Sequence, residues 1–178
     1  MVKIIGLMKN DDWLLRIAEW RNDPRCRGVL LTPYVTAVDI NKQREWADKV
    51  IWSEAEHFYY IVENVQKPFK PELLGYCGLI KVHMIPRTAE LSILVDPDKM
   101  GKGIGGEAVM QLLKVGFMEF GLNCIYVDCY TNNTRNEFFE KQGFQEEGRL
   151  RARKYWDGRW YDSIMMSITR ADYDKRGN

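Results

Sequence analysis

Apolar residues recur along this chain at two periods, and the switches between them mark out its elements. Residues 2–7 read as a short strand. Trp13, Leu14, Ile17, Ala18 and Trp20 then recur at helical spacing behind Asp11 and Asp12, which offer an N-cap. Asn22-Asp23-Pro24 stops that helix, and residues 25–39, with Gly28 and Pro33, read as a loop. A second helix is expected over about 41–53, with Trp46, Val50 and Ile51 on its apolar side. Strands at 57–63 and 74–83 flank a loop over 66–72 that contains Pro68 and Pro71, and Ile85-Pro86-Arg87 turns the chain. From 90 to 95 the alternation is clean, with Leu91, Ile93 and Val95 on one face and Glu90, Ser92 and Leu94 on the other.

Asp96-Pro97 ends that strand. An amphipathic helix over 104–120 is closed by Gly121, a strand over 124–130 follows, and a helix over 133–142 is closed by Gly143. Residues 144–153 and 160–168 read as a hairpin about an Asp157-Gly158 turn. The pattern predicts one α+β domain, a mostly antiparallel sheet with a single strand–helix–strand crossover. The charged tail beyond Tyr173 is expected to fray.

Composition narrows the partners. A chain of 178 residues, 46% hydrophobic, buries one sizeable core, so one domain over 1–178 is expected. Lys and Arg number 26 against 25 for Asp and Glu, a net charge of +1 that gives no reason to expect nucleic acid. The run Arg149, Arg151, Arg153, Lys154 reads as a solvated strand edge. Residues 1–7 are too short for a signal peptide, and no apolar run reaches membrane-spanning length. Cys26, Cys77, Cys124 and Cys129 are not spaced with His57 or His83 as zinc ligands are. Reduced thiols in a cytoplasmic protein without a metal are the expectation.

The chemistry concentrates in Met100-Gly101-Lys102-Gly103-Ile104-Gly105-Gly106, a glycine-dense turn that opens a helix. Without side chains, backbone N–H groups can converge, and the helix N-terminus adds free donors and a partial positive charge. That is an anion site suited to a pyrophosphate. Gly101, Gly103 and Gly106 match the dinucleotide spacing, but the turn is long and too few residues follow for a doubly wound sheet. A P-loop needs a Gly-Lys-Ser/Thr ending, which is absent.

Three segments together resemble the GNAT superfamily of acetyl-CoA-dependent N-acetyltransferases: Leu94-Val95-Asp96-Pro97, the run from Gly101 to Ala108, and Asn132 through Phe144. Within it the chain is most similar to the branch of ribosomal-protein N-terminal, spermidine and amino-sugar acetyltransferases, where Trp20-Arg21-Asn22-Asp23 also fits. The resemblance implies a GNAT-like mixed sheet with a splayed parallel strand pair. It also implies main-chain contacts from Leu94 and Val95 to the pantetheine arm, a pyrophosphate loop over Met100–Gly106, and cofactor contacts at Asn132 and Phe139. Met100 departs from the Gln or Arg that the family places first in that loop. Phe139 replaces the tyrosine that protonates the departing thiolate in many relatives.

An amine attacks a thioester only when neutral, so a base is required. Glu90 falls where related enzymes often carry one; the alternative is an edge glutamate facing water or paired with a lysine. Tyr130 is the nearest tyrosine able to serve as general acid, or it packs in the sheet. Glu107 at a helix start is expected only to meet the macrodipole. Trp13, Trp20 and Trp46 read as core, while Trp156 and Trp160 at the hairpin suit an acceptor site or a homodimer contact. The expected activity is direct acetyl transfer to a primary amine of a small molecule (polyamine, amino sugar, aminoglycoside) or to a protein N-terminus. The rivals are a non-catalytic CoA-binding regulatory domain and a nicotinamide-binding oxidoreductase.

Overall fold

Chain order and strand order nearly coincide. The computed structural model describes residues 2–28, 30, 37–63, 71–132 and 135–176. Seven strands form one sheet: β1 (Val2–Gly6), β2 (His57–Glu63), β3 (Leu73–His83), β4 (Thr88–Val95), β5 (Cys124–Tyr130), β6 (Gln145–Trp156) and β7 (Arg159–Thr169). Their order is β1-β2-β3-β4-β5-β7-β6, and every neighbouring pair is antiparallel except β4–β5. The crossover from β4 to β5 runs through α4 (Ile104–Lys114), as the sequence pattern predicts.

The first helix, α1 (Asp11–Asn22), is capped one residue earlier than expected. The Asn10 side chain accepts from Trp13 N at 3.2 Å, and Asp11 and Asp12 lie in the first turn, where their charges oppose the macrodipole. The segment expected as a loop begins with a one-turn helix, α2 (Pro24–Arg27), for which Asp23 is the cap and Pro24 takes the first helical position. Most of 29–36, like 64–70, lies outside the described residues. Asp39 caps α3 (Ile40–Ile51) by accepting from Lys42 N at 2.8 Å.

The two faces of the sheet bury different elements. One carries α4 and its continuation, with Leu112, Leu113 and Phe117 against Leu79, Leu91, Ile125 and Met166. The other carries Ile17, Trp20 and Val50 of α1 and α3 against Phe58, Tyr60, Tyr76 and Leu94. Both faces of β4 are therefore covered. After Lys114 the helix widens into a π turn over Val115–Glu119, closed by Gly121 at φ +62°. Gly116 lies within that turn, and a Cβ there would stand 2.6 Å from Ile125 Cδ1, so any larger residue would have to displace that buried side chain. Side chains of α4 also reach the free edge of β1. Glu107 Oε2 accepts from Val2 N at 2.8 Å, and Gln111 bonds both Ile4 N and Val2 O, which leaves less of that edge open to pairing.

At the other edge the hairpin turns on Asp157 (φ +47°) and Gly158 (φ +75°), the two positive angles that a two-residue turn requires. Arg149, Arg151 and Arg153 are exposed on β6 as expected, but Lys154 is buried. The register shifts by two residues between Leu150 and Lys154, with Ala152 at φ +50°, and Lys154 faces inward, opposite the arginines, where Nζ donates to Gly28 O at 2.7 Å. The exposed aromatic pair is Tyr155 with Trp160, ring centroids 5.4 Å apart, while Trp156 is half-buried beside Gly28. Helix α6 (Arg170–Lys175), held by a Thr169–Asp172 capping box, begins ahead of the tail expected to fray and includes its first two residues, Asp174 and Lys175; residues 177 and 178 lie outside the described residues. Helix α5 (Arg135–Lys141) ends at Gly143, φ +83°; residues 133 and 134 of the expected helix lie outside the described residues.

Candidate active site

Strands β4 and β5 run together only briefly. Thr88, Ala89 and Glu90 pair with Cys124, Ile125 and Tyr126, after which β4 continues along β3 to Val95 and β5 continues along β7 to Tyr130. Beyond Glu90 the sheet is split. Two cavities meet at that split, and Ile93 and Phe139 line both.

The first, of about 360 Å³, is walled by Val95, Met100, the glycine turn and Phe138. Gly101 (φ +78°) and Gly103 (φ +82°) hold backbone angles that L side chains rarely adopt. Gly103 is the N-cap of α4 and brings no side-chain oxygen to its first-turn amides, those of Ile104, Gly105 and Gly106, which line the cavity. Gly105 packs so close that a Cβ would meet Phe138 Cζ at 3.3 Å. Lys102 is exposed and stands outside this lining. An uncapped helix start beside left-handed glycines is an anion cradle made of backbone, so Met100 in place of Gln or Arg removes a polar side chain without removing the main-chain donors.

The second cavity, of about 190 Å³, lies on the α1–α3 side and holds Glu90, Asp128, Arg21 and the rings of Trp46, Phe58 and Tyr76. Glu90 is only 3% exposed, on a central strand rather than at an edge. It does pair with a lysine: Lys81 Nζ lies 2.6 Å from Glu90 Oε2, and that bond raises the lysine's own pKa. Tyr126, the parallel neighbour of Glu90, is raised as well, first by burial and then by the Glu90 charge. Asp128 accepts a hydrogen bond from the buried Ser163 hydroxyl.

Tyr130 ends β5, its ring beneath Lys154 Nζ at 4.4 Å from the centroid. It lines neither cavity. Asn132 Nδ2 donates to Gly28 O at 2.6 Å, the carbonyl that Lys154 also uses. Asn132 Oδ1 is buried and has no partner among the described residues. A buried amide oxygen of this kind suits a ligand donor. Leu94 turns its side chain into the α1–α3 core, while the Val95 side chain turns to the α4 side and lines the first cavity beside Gly105.

A family model, that of the acetyltransferase (GNAT) domain, matches residues 4–145. This chain belongs to the GNAT acetyltransferase family. It is an N-acetyltransferase with acetyl-CoA as acyl donor. It is similar to the spermidine N(1)-acetyltransferase of Vibrio cholerae, with 32% identity over 133 residues, 74% of each chain. A ribosomal N-acetyltransferase-like protein of Bacillus subtilis is 28% identical over 102 residues, covering 55% of this chain and 56% of that one. Among solved structures, the Vibrio cholerae spermidine N-acetyltransferase in complex with CoA and spermine superposes with a TM-score of 0.85 at 24% identity, covering 97% of both chains. That last likeness is one of fold.

Against this GNAT frame, the structure gathers Val95, Met100, Gly101, Gly103, Ile104, Gly105, Gly106 and Phe139 around one cavity and places Glu90 in the adjoining one. Tyr130 and Asn132 stand apart at the end of β5. Sequence reasoning missed Arg21, Phe58, Tyr76 and Asp128; Trp46, read as core, does pack against the α1–α3 core and lines this cavity as well. Asp128 did leave a signal. On β5, Tyr126, Asp128 and Tyr130 alternate with the buried Ile125, Val127 and Cys129, so the polar face of that strand adjoins Glu90. Among the described residues no helix is long and apolar enough to cross a membrane, and no group of three His, Cys, Asp or Glu could hold a metal.

Proposed function

We propose that this GNAT protein moves acetyl directly from acetyl-CoA to a primary amine of a small molecule, with Glu90 as base. The observation that carries this is the pair of cavities sharing Ile93 and Phe139 at the split between β4 and β5. A donor cradled by the glycine turn and the main chain of Leu94 and Val95 then meets an acceptor held among Trp46, Phe58 and Tyr76. The Glu90 carboxylate takes the proton of the attacking amine through water. A backbone N–H near Val95 stabilises the negative charge that develops on the acyl oxygen. Asn132 offers its buried Oδ1 to the donor. Phe139 has no proton to give the departing thiolate, and Tyr130, at the end of β5 and outside both cavities, is the nearest tyrosine in sequence and reaches it only through water.

The Vibrio cholerae relative puts polyamines first among the acceptor classes to test, followed by amino sugars and aminoglycosides. The second cavity, about 190 Å³ and walled by rings, favours a small molecule over a protein N-terminus. Thiol release from acetyl-CoA across those amines and N-terminal peptides tests the reading. Turnover with a small amine and none with peptides is the expected result. Silence across every amine, with acetyl-CoA still bound, would make this a CoA-binding regulatory domain instead.

The working unit in this reading is the single domain of residues 1–178, in the cytoplasm, where its four free thiols stay reduced. The edge strand β6 and the exposed Tyr155–Trp160 pair support a homodimer with no nucleic acid or membrane involved. Light scattering on a sizing column is expected to read twice the chain mass of 20.9 kDa, and half of that for Trp160→Ser. A monomeric unmodified protein would remove the dimer.

A further inference from the structure

The alternation of β3 slips by one residue beside Glu90. Cys77 and Leu79 pack into the α4-side core while Tyr76 and Ile80 face α1 and α3, so a regular strand would send Lys81 to the α4 side. Instead Val82 takes that side, and the pairing with β4 shifts register between Ile80 and His83. Lys81 is the extra residue, held at φ +50°. A bulge of this kind re-aims a side chain. Here it brings the Lys81 ammonium onto the face of Glu90, Nζ to Oε2 2.6 Å, with the lysine side chain 61% exposed and that of the glutamate 4%.

We propose that Lys81 is a specificity-determining residue that restricts the acceptor to an amine without further positive charges near its reacting end. This rests on the reading that the second cavity receives the acceptor. The charged groups there and beside Lys81 are Glu90 and Asp128 against Arg21 and Lys81 itself, a balanced set. Tyr126 is the remaining titratable neighbour. Two carboxylates alone would draw a dication or polycation inward. The bulge-aimed ammonium neutralises the deeper one, and a second ammonium on the ligand meets a like charge, an unfavourable juxtaposition in a partly desolvated site.

The test compares the unmodified protein with Lys81→Asn, since asparagine tolerates the left-handed backbone and keeps the bulge while removing the charge. Lys81→Arg is the charge-retaining control. Equilibrium binding of spermidine and of propylamine is measured by calorimetry with CoA present, so the readout does not depend on turnover. The expected result is that Lys81→Asn tightens spermidine relative to propylamine by about tenfold, while Lys81→Arg leaves the ratio unchanged. A ratio unaltered in Lys81→Asn overturns the proposal. Acetylation kinetics with both amines report separately on the acceptor reading. Where turnover occurs, the gain of Lys81→Asn appears as a higher ratio of kcat/KM for spermidine to that for propylamine, because any change in Glu90 is common to both amines.

Discussion

Glu90→Gln is expected to lower kcat by about a hundredfold or more while the affinity for acetyl-CoA stays the same. The substitution keeps the shape of a side chain that is 3% exposed on a central strand, so packing is conserved. The amide oxygen of the substituted side chain can still accept from Lys81, and the lysine, largely in water, bears no burial penalty if it lets go. What disappears is the capacity to accept a proton. General bases contribute roughly 10²–10⁴ in rate, and water in the cavity replaces only part of that. The assay is initial-rate thiol release with the best amine of the panel, beside direct binding of acetyl-CoA. An undiminished kcat would remove Glu90 as base and turn attention to Asp128, the other carboxylate lining the same cavity.

The second large effect is structural. A Cβ at Gly75 would stand 2.4 Å from the Leu94 carbonyl oxygen and 3.0 Å from Val95 Cα, both backbone atoms of the adjacent strand. Neither can rotate away as a side chain could, so Gly75→Ala must push β3 and β4 apart. Overpacking of this kind costs about 3 kcal/mol. For a chain of this size that lowers Tm by roughly 6–12 °C. The displaced segment is the one proposed to hold the pantetheine arm, so KM for acetyl-CoA should rise as well. Gly148→Ala is the control, because nothing lies within 4 Å of its Cβ and its backbone angle is ordinary. A thermal melt of the two variants decides the matter. Equal Tm values would mean that β4 yields more readily than its place between two strands implies.

The sequence displays most of the fold because its signals are local. The two-period pattern places β2 and β5 to the residue, and Asp157-Gly158 and Gly121 mark a turn and a stop that the backbone angles require. Errors fall where a tertiary contact decides. Asn10 takes the cap of α1 in place of Asp11 by where the helix begins, and the widening of α4 after Lys114 falls where Gly116 packs closely on Ile125. The direction of Lys81 is invisible to periodicity, because it depends on one extra residue in β3, and the two extra residues ahead of Lys154 in β6 leave no mark in the pattern either. The donor cradle could be read from seven consecutive positions, 100–106. The acceptor cavity could not, since Arg21, Trp46, Phe58, Tyr76 and Asp128 come from five separate elements.

That asymmetry bears on how such a chain changes over generations. The turn at the mouth of the donor cavity is built from glycines and main chain, where a side-chain substitution has little to grip and a lost glycine is costly. The acceptor cavity is framed by side chains on elements that meet only in space. Each can be exchanged singly without disturbing the cradle. A lineage can thus drift from one amine to another in small steps while its acyl donor stays fixed, and sequence divergence should gather on the α1–α3 face of the sheet.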